Sequence, residues 1–339
     1  INISPKEITN LNKDCRILLY YKFINIKNPE EFKNDHLALC KELNLKGRIL
    51  ISHEGINGTC SGTVKDTEKY METLKSYPGF SDTVFKIDES ENHAFNKLHV
   101  KHKSILTLLP EDEVNPNNIV GTYLKPKKFY EMLQRDDVII VDGRNDYEYE
   151  IGHFRGAINP DVENFKQFPQ WIDKTLGDKK DKKILSYCTG GIRCEKLTGV
   201  FLNKGFNEVY HLDGGIVTYG KDEEVKGKLW YGKCYVFDNR ISVQINRTEE
   251  DIVISKCSIC GVPSDRYINC RNDDCHDQFI CCESCEETHA GFCSTDCSEY
   301  VIKKPERDSR LRLMNKKELY EKYNQDHDMY KHVIEKLQK

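Results

Sequence analysis

Long apolar runs are missing from this chain: nothing in its 339 residues approaches the roughly 18 consecutive apolar positions of a membrane-spanning helix. The opening stretch, INISPKEITN, has neither the basic patch nor the apolar segment of a secretory leader, so we expect a cytoplasmic protein. Neither sign of charge is in excess. Lys+Arg 51 against Asp+Glu 55 gives a net charge of -4, and any nucleic-acid partner must be held by local basic patches. Repeats and low-complexity tracts are absent, and 38% hydrophobic with 31% charged residues excludes disordered and collagenous classes. The flavin fingerprint GxGxxG and the haem motif CxxCH are also missing, so neither of those cofactors can be read from the chain.

Cysteine is what the chain has in plenty. Six of its 15 cysteines are scattered, and nine fall between Cys257 and Cys297. With a cytoplasmic protein expected, metal binding or thiol chemistry explains the cluster better than disulfides.

Apolar periodicity divides the chain into three segments. RILLYYKFI (16–24) and GRILIS (47–52) read as strands flanking a helix opened by Pro29 and Glu30. EGINGTCSG (54–62) reads as a glycine-rich turn leading into a further strand. A helix at TEKYMETLKSY and strands at VFKI and KLHVKHKSIL follow. The order strand, helix, strand, strand, helix, strand predicts a ferredoxin-like α+β sandwich over residues 14–110. PEDEVNPNN (110–118) has the composition of a linker. Residues 119–225 then alternate helix and strand: PKKFYEMLQR, VIIVD, a helix, a short strand at AIN, a helix over 169–176, KILSYC, a helix and EVYHLD. That pattern predicts a parallel α/β sheet, with substrates at the carboxyl ends of its strands. From residue 226 to 339 come a hairpin-like GKCYVFDNRISV, the cysteine cluster and a basic tail. Tyr330, Val333, Ile334 and Leu337 share one face of an expected terminal helix in that tail.

The sharpest chemical signal lies in the middle segment. Cys188 ends a strand and opens the loop Thr189, Gly190, Gly191, Ile192, Arg193, after which Cys194, Leu197, Val200 and Phe201 have helical spacing. Glycines let backbone N–H groups turn inward, and the helix N-terminus adds positive potential, so the loop can cradle an anion. The same field lowers a thiol pKa from about 8.5, which makes Cys188 the candidate nucleophile. Cys-dependent phosphatases place five residues between Cys and Arg, whereas this loop has four, and Tyr187 stands where their histidine usually does. The shorter loop resembles that of rhodaneses. Asp142-Gly143-Arg144 looks like the rhodanese Asp-x-Arg, and GHFRGAIN (152–159) like its Gly-His-x-x-Gly-Ala signature. Asp142 and Arg144 either form a structural ion pair or act directly in catalysis. Cys194 either resolves an oxidised Cys188 or packs the first helical turn.

The resemblance reaches beyond this segment. GRILISHEGINGTCSG, KLHVKH, GHFRGAINPDVENFKQFPQW, CTGGIRCEK, HLDGGIVTYGKD and GKCYVFDNRISV, in that order, look like the rhodanese-like tRNA uridine hydroxylase family. The resemblance implies an acylphosphatase-like first domain and hydroxylation of carbon 5 of the wobble uridine of tRNA. It also implies molecular oxygen as co-substrate, and the family's essential loop cysteine falls on Cys188. The implied partner is the tRNA anticodon loop, with neither DNA nor a membrane and with room for a sulfur or electron donor protein. Loop chemistry taken by itself equally suits a sulfurtransferase carrying a Cys188 persulfide, and the intact loop with Arg193 argues against a non-enzymatic adaptor. Gly143 and Gly199 depart from the family pattern, and Gly199 should cost its helix about 1 kcal/mol relative to Ala.

The cluster spaces Cys257-x2-Cys260, Cys270-x4-Cys275, Cys282-x2-Cys285 and Cys293-x3-Cys297, enough for two structural zinc sites of four cysteines each. Cys281 is the spare beside Cys282, His276 and His289 are possible substitutes, and spacing leaves the pairing between sites open. Lys97, Lys101 and Lys103 alternate along one strand, near His99 and His102, and are the expected RNA contacts. In the tail Lys303, Lys304, Arg307, Arg310, Arg312, Lys316 and Lys317 add charge.

Overall fold

A computed structural model describes residues 13–107, 109, 114–162, 164–248, 252–304 and 307–309. Its contacts form two compact units: one holds residues up to 149 with 153–230 and 234–251, and the other holds 150–152, 231–233 and 252 onward.

The first unit begins with β1 (Cys15–Phe23), α1 (Pro29–Glu42), β2 (Lys46–Ser52), β3 (Gly55–Thr63), α2 (Val64–Ser76), β4 (Phe85–Ser90) and β5 (Leu98–His102). The sheet order β4-β1-β3-β2-β5 is a ferredoxin-like sheet extended at one edge, with β5 running parallel to β2 and every other pair antiparallel. Thus β4 alone completes the expected order, and β5 is an addition.

The glycine-rich segment is not the turn expected from its composition. Gly55–Thr63 is β3, a central strand hydrogen-bonded on both sides, and the reversal from β2 is confined to His53 and Glu54. Glycine is used in this strand for close approach. A Cβ on Gly58 would lie 2.4 Å from the Tyr20 ring opposite it. Tyr20 is fully buried and shares hydrogen bonds with Tyr70, whose hydroxyl meets His36 Nε2 at 2.6 Å.

The chain continues with β6 (Thr122–Leu124), α3 (Pro126–Met132), β7 (Val138–Asp142), α4 (Asp146–Ile151), β8 (Gly152–Phe154), a 3-10 turn at Phe165–Gln167, α5 (Phe168–Leu176), β9 (Lys183–Tyr187), α6 (Ile192–Asn203), β10 (Val209–Leu212) and α7 (Gly215–Lys221). Strands β6-β10-β9-β7 form the expected parallel sheet, because βα alternation leaves each return strand running the same way. The short strand expected at AIN is only an isolated parallel bridge between Val141 and Ile158.

Gly199 corrects a sequence-based expectation. It sits in α6, where a Cβ would lie 2.5 Å from Val114 Cγ1 and 2.9 Å from the Ile119 carbonyl oxygen, so the helix depends on its absence. Gly199→Ala is therefore expected to destabilise the protein by about 1–3 kcal/mol through overpacking, where helix propensity alone predicts a gain of about 1 kcal/mol. The sign of the shift in a denaturation midpoint decides between them. Of the expected linker, residues 110–113 lie outside the described residues; the remainder turns at Asn115, whose carbonyl accepts from Asn118 N–H at 2.9 Å.

The chain then forms β11 (Trp230–Tyr235) and β12 (Ser242–Gln244), neighbours in one sheet as the hairpin reading requires, with Val236 N–H donating to Ile241 O at 2.8 Å. In the second unit β13 (Tyr267–Asn269) pairs with β14 (Gln278–Ile280), and α8 (Glu283–Thr288) and α9 (Thr295–Lys303) follow. Apolar residues are few in this module. The cysteines cluster with Phe279, Phe292 and Val301, as expected of a small fold stapled by metal. No helix among the described residues is long and apolar enough to cross a membrane. The basic positions Arg310, Arg312, Lys316 and Lys317 and the expected terminal helix lie outside the described residues.

Candidate active site

Cys188 follows the last residue of β9 at the carboxyl edge of the parallel sheet, where α/β folds place their sites. The loop curls because Gly191 takes φ 107°, a left-handed conformation that glycine adopts freely, and from there caps α6. Gly191 N–H donates to Cys188 Sγ at 3.2 Å. The motif HLDGG holds the loop from behind. Ile216 N–H donates to Cys188 O and Val217 N–H to Thr189 O, and a Cβ on Gly215 would lie 2.7 Å from the Cys188 carbonyl oxygen.

Burial by itself would raise the Cys188 pKa. Hydrogen bonding from the Cys194 thiol, the Arg193 charge and the backbone N–H groups of Cys194 and Gly191 overcome it and bring the thiol down to about 5. Cys194 is the other side of that arrangement: buried and donating to Cys188, it is pushed well above the ordinary thiol range. It also lies 3.6 Å from Ser186 Oγ, so it packs the first turn of α6 and touches the nucleophile at once.

Arg193 is held by a residue that sequence reasoning did not single out. Glu148 on α4 is fully buried and accepts two hydrogen bonds from the guanidinium, at 2.6 and 2.8 Å, while Thr189 Oγ1 donates to it at 3.4 Å. The pair fixes the fork of Arg193 beside the thiolate. Nothing in DYEYE distinguishes Glu148 from its acidic neighbours; only the fold turns it inward. Asp142 and Arg144 pair with each other, fully buried, with hydrogen bonds of 2.6 and 2.8 Å. Arg144 also stacks over Tyr187 and Trp230. Neither is among the residues lining the cavity at Cys188, and each is bonded to the other.

The opposite wall of the site comes from the first segment of the chain. Leu19 lies against Gly190, and Lys86 Nζ donates to Gly190 O at 2.7 Å. Burial holds Lys86 down to about 8. Tyr21 and Tyr123 both donate to Glu195, at 2.7 and 2.5 Å, and burial raises the pKa of that carboxyl. Two distant motifs also meet here: Lys196 of CTGGIRCEK bonds Glu54 of HEGINGT at 2.7 Å, both buried. Between the sheet and the loop lies a cavity of about 290 Å³, lined by Cys188, Gly190 and Arg193 on one side and by Tyr21, Arg48 and Asn57 on the other.

The predicted RNA contacts are brought to this face without entering the cavity. Lys97, Lys101 and Lys103 are exposed along the β5 edge. Lys101 and His99 pair with Leu50 and Arg48 of β2, two cavity residues, so they share the cavity's side of the sheet.

In the second unit the eight predicted ligands form two groups, Cys257, Cys260, Cys282 and Cys285, and Cys270, Cys275, Cys293 and Cys297. The pairs interleave. Sulfur separations of 3.7 Å (Cys260 to Cys282) and 3.6 Å (Cys275 to Cys293, Cys293 to Cys297) match the edge of roughly 3.8 Å expected of a tetrahedron with 2.3 Å Zn–S bonds. Both groups can therefore hold zinc, and neither includes Cys281, His276 or His289.

Comparison with known proteins agrees with this layout. Family models match at residues 15–105 (UPF0176 acylphosphatase like domain), 125–222 (Rhodanese-like domain) and 231–298 (Rhodanase C-terminal). The chain is 54% identical over 288 residues to the tRNA uridine(34) hydroxylase of Bacillus licheniformis, covering 85% of this chain and 89% of that one. It is 51% identical over 318 residues to that of Bacillus velezensis, covering 91% and 98%. Among solved structures, the Rhodanese-like domain of an Anabaena protein is 20% identical with a TM-score of 0.28, over 33% of this chain and 80% of that one. The chain belongs to the tRNA uridine(34) hydroxylase family.

Proposed function

We infer that this protein hydroxylates uridine 34 of tRNA at carbon 5, with molecular oxygen as co-substrate and the Cys188 thiolate acting at the base. The observation that carries the reading is the cavity at Cys188: a buried thiol brought down to about 5 faces a space at the low end of small-molecule pockets, suited to one unstacked base. The relatives' printed name supplies the substrate and the reaction.

In this reading Arg193, oriented by Glu148, keeps Cys188 ionised, and Thr189, Gly190, Gly191 and Ile192 shape the cradle. Asp142 and Arg144 support the loop from below, and Cys194 tunes the thiolate. Residues 14–110 contact RNA through Lys97, Lys101 and Lys103, residues 119–225 carry the reaction, and the cysteine cluster within residues 226–339 holds two structural zinc ions. A donor protein supplies electrons. An anticodon loop suits such a site because its unpaired bases leave the stack at little cost.

Nucleoside mass spectrometry of total tRNA from cells with and without the gene tests this. The expected result is loss of 5-hydroxyuridine and its derivatives on deletion and their return with the native gene. Loss of a thiolated uridine with hydroxylation intact would instead assign sulfur transfer to the loop.

A further inference from the structure

The cavity's walls carry more information than its size. Its loop side is committed: Arg193 is bonded to Glu148, and Cys188 accepts from Gly191. On the sheet side several polar side chains, Thr107 and Asn57 among them, have no hydrogen-bond partner among the described residues. Thr107 Oγ1 is buried, at 8% residue exposure, and is left unsatisfied, an arrangement that costs about 1–3 kcal/mol unless something fills the space. Asn57, half-buried on β3, pairs through its backbone with Tyr21 and Leu50, while its amide is uncommitted. Around them the lining is apolar, including Leu19, Leu50, Leu106 and Phe237.

Orientation follows from the chemistry. If carbon 5 is to react at Cys188, the C5–C6 edge of the uracil faces the loop, and the opposite edge, with N3–H and its flanking carbonyls, turns toward the sheet. An asparagine amide offers one acceptor and two donors in a plane, the complement of an N3–H beside a carbonyl. Thr107 adds a hydroxyl that can donate to a carbonyl oxygen. Apolar side chains flank a planar base with the stacking surface expected of a flipped-base pocket. Arg48, a cavity residue exposed to solvent, is paired in register with His99 of β5. A basic path for phosphates thus leads along β5 to the cavity.

We propose that Asn57 is the residue that reads the target base: it holds the Watson–Crick edge of the extruded uracil, with Thr107 beside it, so that carbon 5 is presented to Cys188. This rests on the hydroxylase reading above. Asn57 is a specificity-determining residue, distinct from the groups that ionise the thiol.

The test uses the full-length protein in aerated extract of cells lacking the gene, which supplies the electron donor, and two synthetic anticodon stem-loops, one with uridine and one with 3-methyluridine at position 34. The methyl group removes the N3–H donor and leaves the rest of the RNA unchanged. Protection of Cys188 from iodoacetamide and the yield of 5-hydroxylated product are both measured. The native protein is expected to lose about 10- to 100-fold in protection with the methylated loop, the range of one or two hydrogen bonds to a buried polar group. Asn57→Leu should protect equally poorly with both loops, since the methyl and the substitution remove the same contact. Retained alkylation of Cys188 in the variant shows that the loop is intact. Equal protection of the native protein by both loops, with the unmethylated loop hydroxylated, overturns the role of Asn57 and leaves the hydroxylase reading standing. Failure of the native protein to hydroxylate or to be protected by either loop overturns both.

Discussion

Cells whose only copy of the gene encodes Cys188→Ser will lose tRNA uridine 5-hydroxylation by a factor on the order of 10³ or more, the scale of removing a reacting group that works as part of a unit. The oxygen of serine is not ionised near neutral pH, so the same loop that stabilises a thiolate has nothing to stabilise. The native thiol has a testable signature. Its pKa is brought to about 5, so alkylation of the Cys188 peptide should rise with pH through about 5 and stay level above it. An ordinary thiol, with a midpoint near 8.5, would still be gaining rate at pH 8. Cys194→Ala should move the midpoint upward, because it removes the leading interaction that holds the anion against burial. A native midpoint at the ordinary value would refute the electrostatic account of the loop.

Metal removal should have the next largest effect. Reduced, freshly purified protein is expected to carry about two zinc ions, and their loss should unfold the second unit, since zinc binding in such modules contributes about 10–16 kcal/mol. Single substitutions separate ligand from bystander. Cys282→Ser should lower the content to about one, since Cys282 Sγ sits 3.7 Å from Cys260 within one sulfur group. Cys281→Ser, at the adjacent position, should keep both, because its buried sulfur belongs to neither group. Zinc release measured with a chromogenic chelator reads both outcomes. Equal loss from the two variants would dissolve the assignment made by the interleaved pairing.

Local chemistry was legible where it is written in consecutive residues. The Cys188 to Arg193 loop needs a strand before it and a helix after it, and both are visible as apolar periodicity. Cysteine spacing likewise announced two four-sulfur sites, because a tetrahedral ion demands close pairs. The interleaving of those pairs was not legible: it depends on how the β13–β14 hairpin returns the chain, which spacing does not encode. Glycine misled twice for one reason. Composition records its flexibility, whereas at Gly58 and Gly199 the structure uses its missing side chain to admit Tyr20 and the 114–119 segment.

What the amino-acid sequence by itself determined, then, is the order of the elements, the nucleophile and its cradle, and the number of metal sites, all set by interactions within a few residues. The tertiary structure alone decided what faces the nucleophile. Glu148 reaches Arg193, Lys196 reaches Glu54 across 142 positions, and Asn57 and Thr107 reach the cavity because sheet pairing and burial bring distant strands together. Such contacts are selected by the free energy of packing a whole core, in which each side chain's surroundings come from remote parts of the chain and leave no periodic trace near the residue itself.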